Sequence, residues 1–331
     1  MNGKLGQEHE ETTDEGALIL ASPAIRVVLS QLVESLDSGE DVLLRGPSGA
    51  GKTSLAHHAH GLSRRKAGPF VSASLAEISD SLASSELSGH VKNAFSGAET
   101  DRQGLLRAAH RGTIIVDEID KGSLALQGMF LRFLDDRKVR PVGADKAVPV
   151  DVGFIAATNR DLEKEVEGRR FLADLLFRLS ETVIDVPPLS ERRDDIAPLI
   201  NYYARVYAAA RGREAPLFGA EAVSLFEGAA WPGNVRDLKR AVLYCVKFAH
   251  EGSVSVDIAR SAPGISSPGQ ISRNFERLKS LGELPSPEKR TRSVILEALE
   301  ITRWNYKQAA DALGIPLRTF LRDRKRYAID P

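Results

Sequence analysis

The chain has 331 residues, long for one domain and suited to two or three. Hydrophobic residues make up 42% but aromatics only 6%, so the core is largely aliphatic, and 45 basic residues balance 45 acidic ones, which leaves any nucleic-acid surface to be local. The single cysteine, Cys245, sits in an apolar helical pattern and excludes a disulfide framework; no apolar run reaches the roughly 20 residues of a membrane-spanning helix, and no signal peptide opens the sequence. A reducing, cytoplasmic setting without membrane contact is expected.

Residues 1–16 carry Glu8, Glu10, Glu11, Asp14 and Glu15 among almost no apolar side chains, which predicts a disordered acidic tail, too short for a sensor domain. Over residues 17–187, short apolar runs alternate with longer amphipathic stretches. Residues 42–44, 70–72, 113–116 and 152–156 read as strands with helical patterns between them, the signature of an α/β domain with a parallel sheet. From Pro188 the strand signals stop, and residues 194–210, 220–228 and 235–249 read as helices of a smaller subdomain, 188–259. Residues 260–287 turn to Ser, Pro and Gly and read as a linker with one short helix at 271–281. The last segment, 288–331, is basic: between 289 and 327 ten basic side chains face four acidic ones, a local charge of +6.

The most informative segment follows the first predicted strand. Gly46-Pro47-Ser48-Gly49-Ala50-Gly51-Lys52-Thr53 is a complete P-loop. Phosphate oxygens need several converging N–H donors, and a Gly-rich turn lets the backbone curl closely enough to supply them. Lys52 adds a charge for the β- and γ-phosphates, and Thr53 a hydroxyl ligand for Mg2+. The strand at 113–116 runs into Asp117 and Glu118, the first suited to hold Mg2+ through water and the second to polarise an attacking water. A third strand ends in Thr158-Asn159, where Asn159 is placed to reach the γ-phosphate or that water. Two arginines offer the remaining charge: Arg236 opens a helix of the small subdomain, and Arg178 is a candidate arginine finger for a neighbouring subunit. ATP and Mg2+ are the expected cofactors.

Together these residues resemble the AAA+ bacterial enhancer-binding proteins, activators of sigma-54 RNA polymerase, from Leu18 to the end. The most specific block is Ser85-Glu86-Leu87-Ser88-Gly89-His90, then Asn93-Ala94-Phe95-Ser96-Gly97-Ala98, which looks like that family's sigma-contacting loop. Further matches are Asp117-Glu118-Ile119, Ala156-Ala157-Thr158-Asn159, the run from Pro187-Pro188-Leu189 through Arg192 to Ile196, and Trp231-Pro232-Gly233-Asn234-Val235-Arg236. The resemblance implies an AAA+ ATPase whose ATP-driven hexamer, a dimer when inactive, raises the loop against sigma-54 polymerase at a promoter. It departs from the family's pattern at several places. Asn93 replaces a glycine, which makes a positive φ costlier, and Ser96 replaces a threonine, keeping the hydroxyl but losing a methyl. Leu172 stands where a first inter-subunit arginine is usual, leaving Arg178, with Arg169 and Arg170 as substitutes. Ser74 stands where an asparagine restrains the catalytic glutamate, and Thr53 replaces a usual glutamate.

The basic segment looks like the family's C-terminal Fis-type module. Residues 292–299, 306–313 and 317–327 read as three helices broken by Gly314-Ile315-Pro316, with Ala309, Leu313, Ile315 and Phe320 as a small core, the arrangement of a helix-turn-helix. Arg318, Thr319 and Arg322 lie early on the third helix, in reach of base edges; Arg324, Lys325 and Arg326 suit phosphates. The expected partners are upstream enhancer DNA, sigma-54 polymerase, further copies of the chain and, with no sensor domain attached, a separate regulatory protein. A sigma-54-independent regulator using ATP for assembly only, and an ATP-dependent DNA-processing partner, are the competing readings.

Overall fold

The computed structural model describes residues 21–79, 82–250 and 252–265, then 295, 299, 306, 309, 310, 313 and 315–326. The acidic tail, the 271–281 helix and most of the linker lie outside the described residues.

The large subdomain is a five-stranded sheet whose paired strands all run parallel, in the order β2 (Phe70–Ser74), β3 (Thr113–Asp117), β6 (Gly153–Thr158), β1 (Val42–Arg45) and β7 (Thr182–Asp185). Alternation along the strands explains why both faces are dry. Leu43, Ile114, Val116, Phe154 and Ala156 enter one cluster with Phe130 and Phe133 of α5 (Leu124–Asp136) and Leu175 of α7 (Ala173–Leu179). Val42, Leu44, Ile115, Ile155 and Ala157 point the other way, into a cluster with α1 (Pro23–Ser38) and α2 (Lys52–Leu62). Helix α1 has a defined start and stop: the Ser22 hydroxyl caps it, Pro23 follows at a position where its missing N–H costs nothing, and Gly39 closes it at φ 77°.

The helical subdomain is built from α8 (Ile196–Ala209), α9 (Ala220–Gly228), α10 (Asn234–Phe248) and α11 (Val256–Ser261) around a third cluster. Strand structure does not stop at Pro188 as the sequence suggested. Leu217–Phe218 pairs in parallel with Ser253–Val254, two residues each and too short to leave a pattern. Helix α11 also runs through the 259/260 boundary expected from composition. Cys245 is buried in this core, and burial pushes its thiol up to about 12, as fits an inert small hydrophobe. Trp231 is 1% exposed, packs on Phe226 at 5.5 Å and donates its indole N–H to the Phe226 carbonyl at 2.7 Å. Trp231→Ala is therefore expected to cost about 3–5 kcal/mol, read as a lowered denaturant midpoint in chemical unfolding.

At the C-terminus, helix Leu317–Arg326 carries Phe320 inward, and Ala309, Ala310, Leu313, Ile295 and Leu299 are buried as well. Ile315, expected in the same core, is only partly buried.

Candidate nucleotide site and effector loop

The candidate residues converge because the strands that carry them are neighbours. Strand β6 lies between β3 and β1, so Asn159, one residue beyond β6, sits between the acids after β3 and the P-loop after β1. This is the carboxyl edge of a parallel sheet, where open α/β folds bind ligands.

The P-loop backbone has little freedom. Gly49 and Gly51 adopt φ of 74° and 93°, and a Cβ on Gly49 would lie 2.3 Å from the Gly233 carbonyl, so a side chain there would push the lid away. Every carbonyl from 46 to 50 is engaged. Lys52 Nζ donates to Gly46 at 2.9 Å and Pro47 at 3.3 Å; Asn234 Nδ2 donates to Ser48 at 3.0 Å; the Val235 N–H donates to Gly49 at 3.0 Å; and a guanidinium nitrogen of Arg192 donates to Ala50. Three of these five bonds come from the segment after β7 or from α10. Arg236 completes the clamp, donating to Ser48 Oγ at 2.8 Å. Arg192 and Asn234 lie in runs whose sequence carries the family resemblance, but nothing in the sequence assigns either a role.

Burial pulls the Lys52 ammonium below its ordinary value, with Asp117 opposing. Below it, Thr53 Oγ1 donates to Asp117 Oδ2 at 3.2 Å, and the Glu118 N–H donates to Asp117 Oδ1 at 2.9 Å. Glu118 stands at φ 53°, a left-handed conformation that turns the chain sharply at the strand end. Ser74 pairs with Asp117 in the β2–β3 register, and its hydroxyl lies 3.5 Å from Glu118 Oε2. Asn159 is exposed and has no hydrogen-bond partner among the described residues. These groups fit a nucleotide with Mg2+: a Gly-rich loop whose carbonyls are already engaged, a buried lysine, and a hydroxyl–carboxylate pair beside it.

Arg178 lies elsewhere. It ends α7 and donates to Asp41 Oδ2 at 2.8 Å and Glu181 Oε2 at 2.8 Å. Asp41 immediately precedes β1, so Arg178 is at the opposite edge of the sheet from its own P-loop. Arg170 is paired with Glu165 at 2.5 Å, and with Arg160 it holds that carboxyl down at about 2. Arg169 is exposed at φ 56° and carries no ion pair among the described residues.

The loop at 93–98 is a closed turn: Asn93 N–H donates to the Ala98 carbonyl at 2.8 Å and Ala98 N–H to the Phe95 carbonyl at 3.0 Å. Asn93 does adopt a positive φ, 65°, which asparagine tolerates better than most residues, and Gly97 stands at 101°. Phe95, 41% exposed, rests edge-on against His90 with ring centroids 5.0 Å apart, while Ser96 is exposed. Ser85 Oγ is 2.7 Å from His90 Nδ1, and Arg102 grips Glu86 with two bonds at 2.6 and 2.7 Å, fixing the base of the loop. A second hairpin, β4 (Lys138–Val139) and β5 (Val148–Pro149), packs beneath: a Cβ on its Gly143 would lie 2.7 Å from that of Ala94.

In the basic module Arg318, Arg322 and Lys325 are exposed and Thr319 is partly buried. Arg324, expected at phosphates, is partly buried, with its guanidinium 4.8 Å from the Tyr306 ring centroid. The side chain of Arg326 lies outside the described residues.

A P-loop on a parallel sheet, clamped by a helical lid and followed by a basic helical module, defines a AAA+ nucleotide-binding regulator. Residues 18–185 match the Sigma-54 interaction domain, 190–262 the AAA+ ATPase lid domain, and 287–327 the bacterial regulatory protein, Fis family. The chain is 35% identical over 323 residues to the regulatory protein AtoC of Escherichia coli K12, covering 96% of this chain and 68% of that protein. It is 41% identical over 221 residues to the Nif-specific regulatory protein of Herbaspirillum seropedicae, covering 67% of this chain and 41% of the other. Among solved structures, NtrX from Brucella abortus in complex with ATP matches at 26% identity and a TM-score of 0.66, covering 95% of this chain and 70% of that one. The chain belongs to the sigma-54-dependent transcriptional regulators, with an AAA+ domain and a Fis-type DNA-binding module. No described helix is long and apolar enough to cross a membrane.

Proposed function

We propose that this protein hydrolyses ATP in a ring of its own copies, a hexamer, and uses the cycle to drive the 93–98 loop against sigma-54 polymerase while its C-terminal module holds enhancer DNA. The observation that carries the reading is the bonded array Thr53–Asp117–Glu118–Ser74 beside a P-loop whose carbonyls are all engaged. Bound Mg2+ would neutralise charge on the β- and γ-phosphate oxygens, held by Thr53 and Asp117. Glu118 takes the proton of the attacking water, Asn159 orients that water, and Lys52 and Arg236 balance phosphate charge.

Arg178 serves the site of a neighbouring copy, since it stands at the wrong edge of the sheet for its own; such a finger is worth roughly 10³ to 10⁵ in rate. Phe177, 81% exposed beside it, gives the same face an apolar contact. With Leu172 in place of a first inter-subunit arginine, unpaired Arg169 is the better substitute, because Arg170 is committed to Glu165. Arg318, Thr319 and Arg322 read bases, and Lys325 contacts phosphate, placing the protein on DNA in the bacterial cytoplasm.

The test is capture of purified sigma-54 with ADP–aluminium fluoride as a transition-state analogue. Capture that appears only with the analogue is expected. ATP turnover without capture would instead support the sigma-54-independent regulator that uses ATP for assembly.

A further inference from the structure

We propose that Arg192, braced by Asp195 and Ser22, is a positioning residue that sets the P-loop for phosphate; the proposal rests on reading 46–53 as the ATP site. Arg192 lies between β7 and α8, 5% exposed, and donates to the Ala50 carbonyl. Its other terminal nitrogen is 3.7 Å from Asp195 Oδ2. Asp195 is fully buried and receives the Ser22 N–H at 2.7 Å and the Ser22 hydroxyl at 3.0 Å. The contacts therefore run unbroken from the cap of α1 to the P-loop, across 173 residues of sequence.

The consequence follows from peptide geometry. The Ala50 carbonyl and the Gly51 N–H belong to one planar trans unit and point in opposite directions. Holding the carbonyl toward Arg192 therefore turns the Gly51 N–H to the opposite side, away from the buried guanidinium. Gly51 stands at φ 93° with open space where a Cβ would be, so neither sterics nor a side chain fixes that peptide. Asn234 and the Val235 N–H grip the two preceding carbonyls, and Arg192 grips the third.

Stability alone is a poor reason for this arrangement. A buried ion pair is often matched or bettered by apolar residues of similar size. Here the guanidinium also leaves its Nε without a hydrogen-bond partner among the described residues. Burial lowers the Arg192 pKa from its ordinary value, a sign that the charge is held at a cost.

The full chain is compared with Lys52→Ala, Arg192→Lys, Arg192→Met and the double variant Arg192→Met/Asp195→Asn. Each is measured for thermal unfolding and, below its unfolding transition, for affinity toward a fluorescent ATP analogue. Arg192→Met is expected to unfold at lower temperature and to bind about tenfold more weakly. The double variant leaves no unpaired buried charge and keeps an amide for Ser22, so its stability recovers while its affinity stays low. Arg192→Lys keeps the charge against Asp195 and folds like the wild type, yet binds several-fold more weakly because one ammonium cannot serve Asp195 and Ala50 as the planar guanidinium does. Wild-type affinity in Arg192→Lys, or affinity that simply tracks unfolding temperature across the set, would overturn the proposal. A wild type that binds no better than Lys52→Ala would overturn the reading of the ATP site itself, and this proposal with it.

Discussion

Glu118→Gln lowers ATP turnover by at least about 10²-fold while leaving ATP affinity near the wild-type value. The substitution keeps the shape of the side chain and removes only its capacity to take a proton. Binding survives because the P-loop is held by Lys52, Asn234, Val235 and Arg192, with no bond to Glu118. The left-handed turn at Glu118 survives too, since its bond to the Asp117 carboxylate comes from the backbone N–H and not from the substituted side chain. Phosphate release under saturating ATP, beside titration with a fluorescent analogue, separates the two quantities. Turnover within a few-fold of wild type would move the general base to another residue.

The second large effect is on coupling. Phe95→Ala leaves ATP turnover unchanged and weakens analogue-dependent capture of sigma-54 by at least about thirtyfold, the cost of removing a central aromatic contact. Phe95 has no contact with the nucleotide residues; it is half-exposed at the tip of a turn, leaning on His90. That resting place is a weak edge-on contact, and an aromatic ring with much of its surface in water is suited to a better-packed partner. Fluorescence anisotropy of labelled sigma-54 reads the loss. Undiminished capture would place the sigma contact outside the 93–98 loop.

Much of this architecture was legible because local chemistry announces it. Strands β1, β3 and β6 are apolar runs almost wholly buried, and the residues proposed for the chemistry stand at or just beyond strand ends, so motif spacing alone singled out Lys52, Thr53, Asp117, Glu118 and Asn159. Strand β7 was missed: it lies at the sheet edge with Ile184 buried and Val183 well exposed, so its alternation carries little signal. The two-residue strands were too short to leave any. In the site, Arg192, Asp195 and Asn234 had no local signature, since their partners Ala50, Ser22 and Ser48 lie 142, 173 and 186 residues away. Only the fold reveals such contacts. Arg324, expected at phosphates, also lies with its guanidinium 4.8 Å from the Tyr306 ring centroid, a contact no local pattern announces.

We propose that hydrolysis at the strand ends is converted into work by the loop. Promoter opening in a purified system, with sigma-54 polymerase, enhancer-bearing DNA and ATP, tests it most directly when the wild type is compared with Glu118→Gln and Phe95→Ala. Opening by the wild type alone is expected, with both variants still bound to DNA. Equal opening by all three proteins would contradict it.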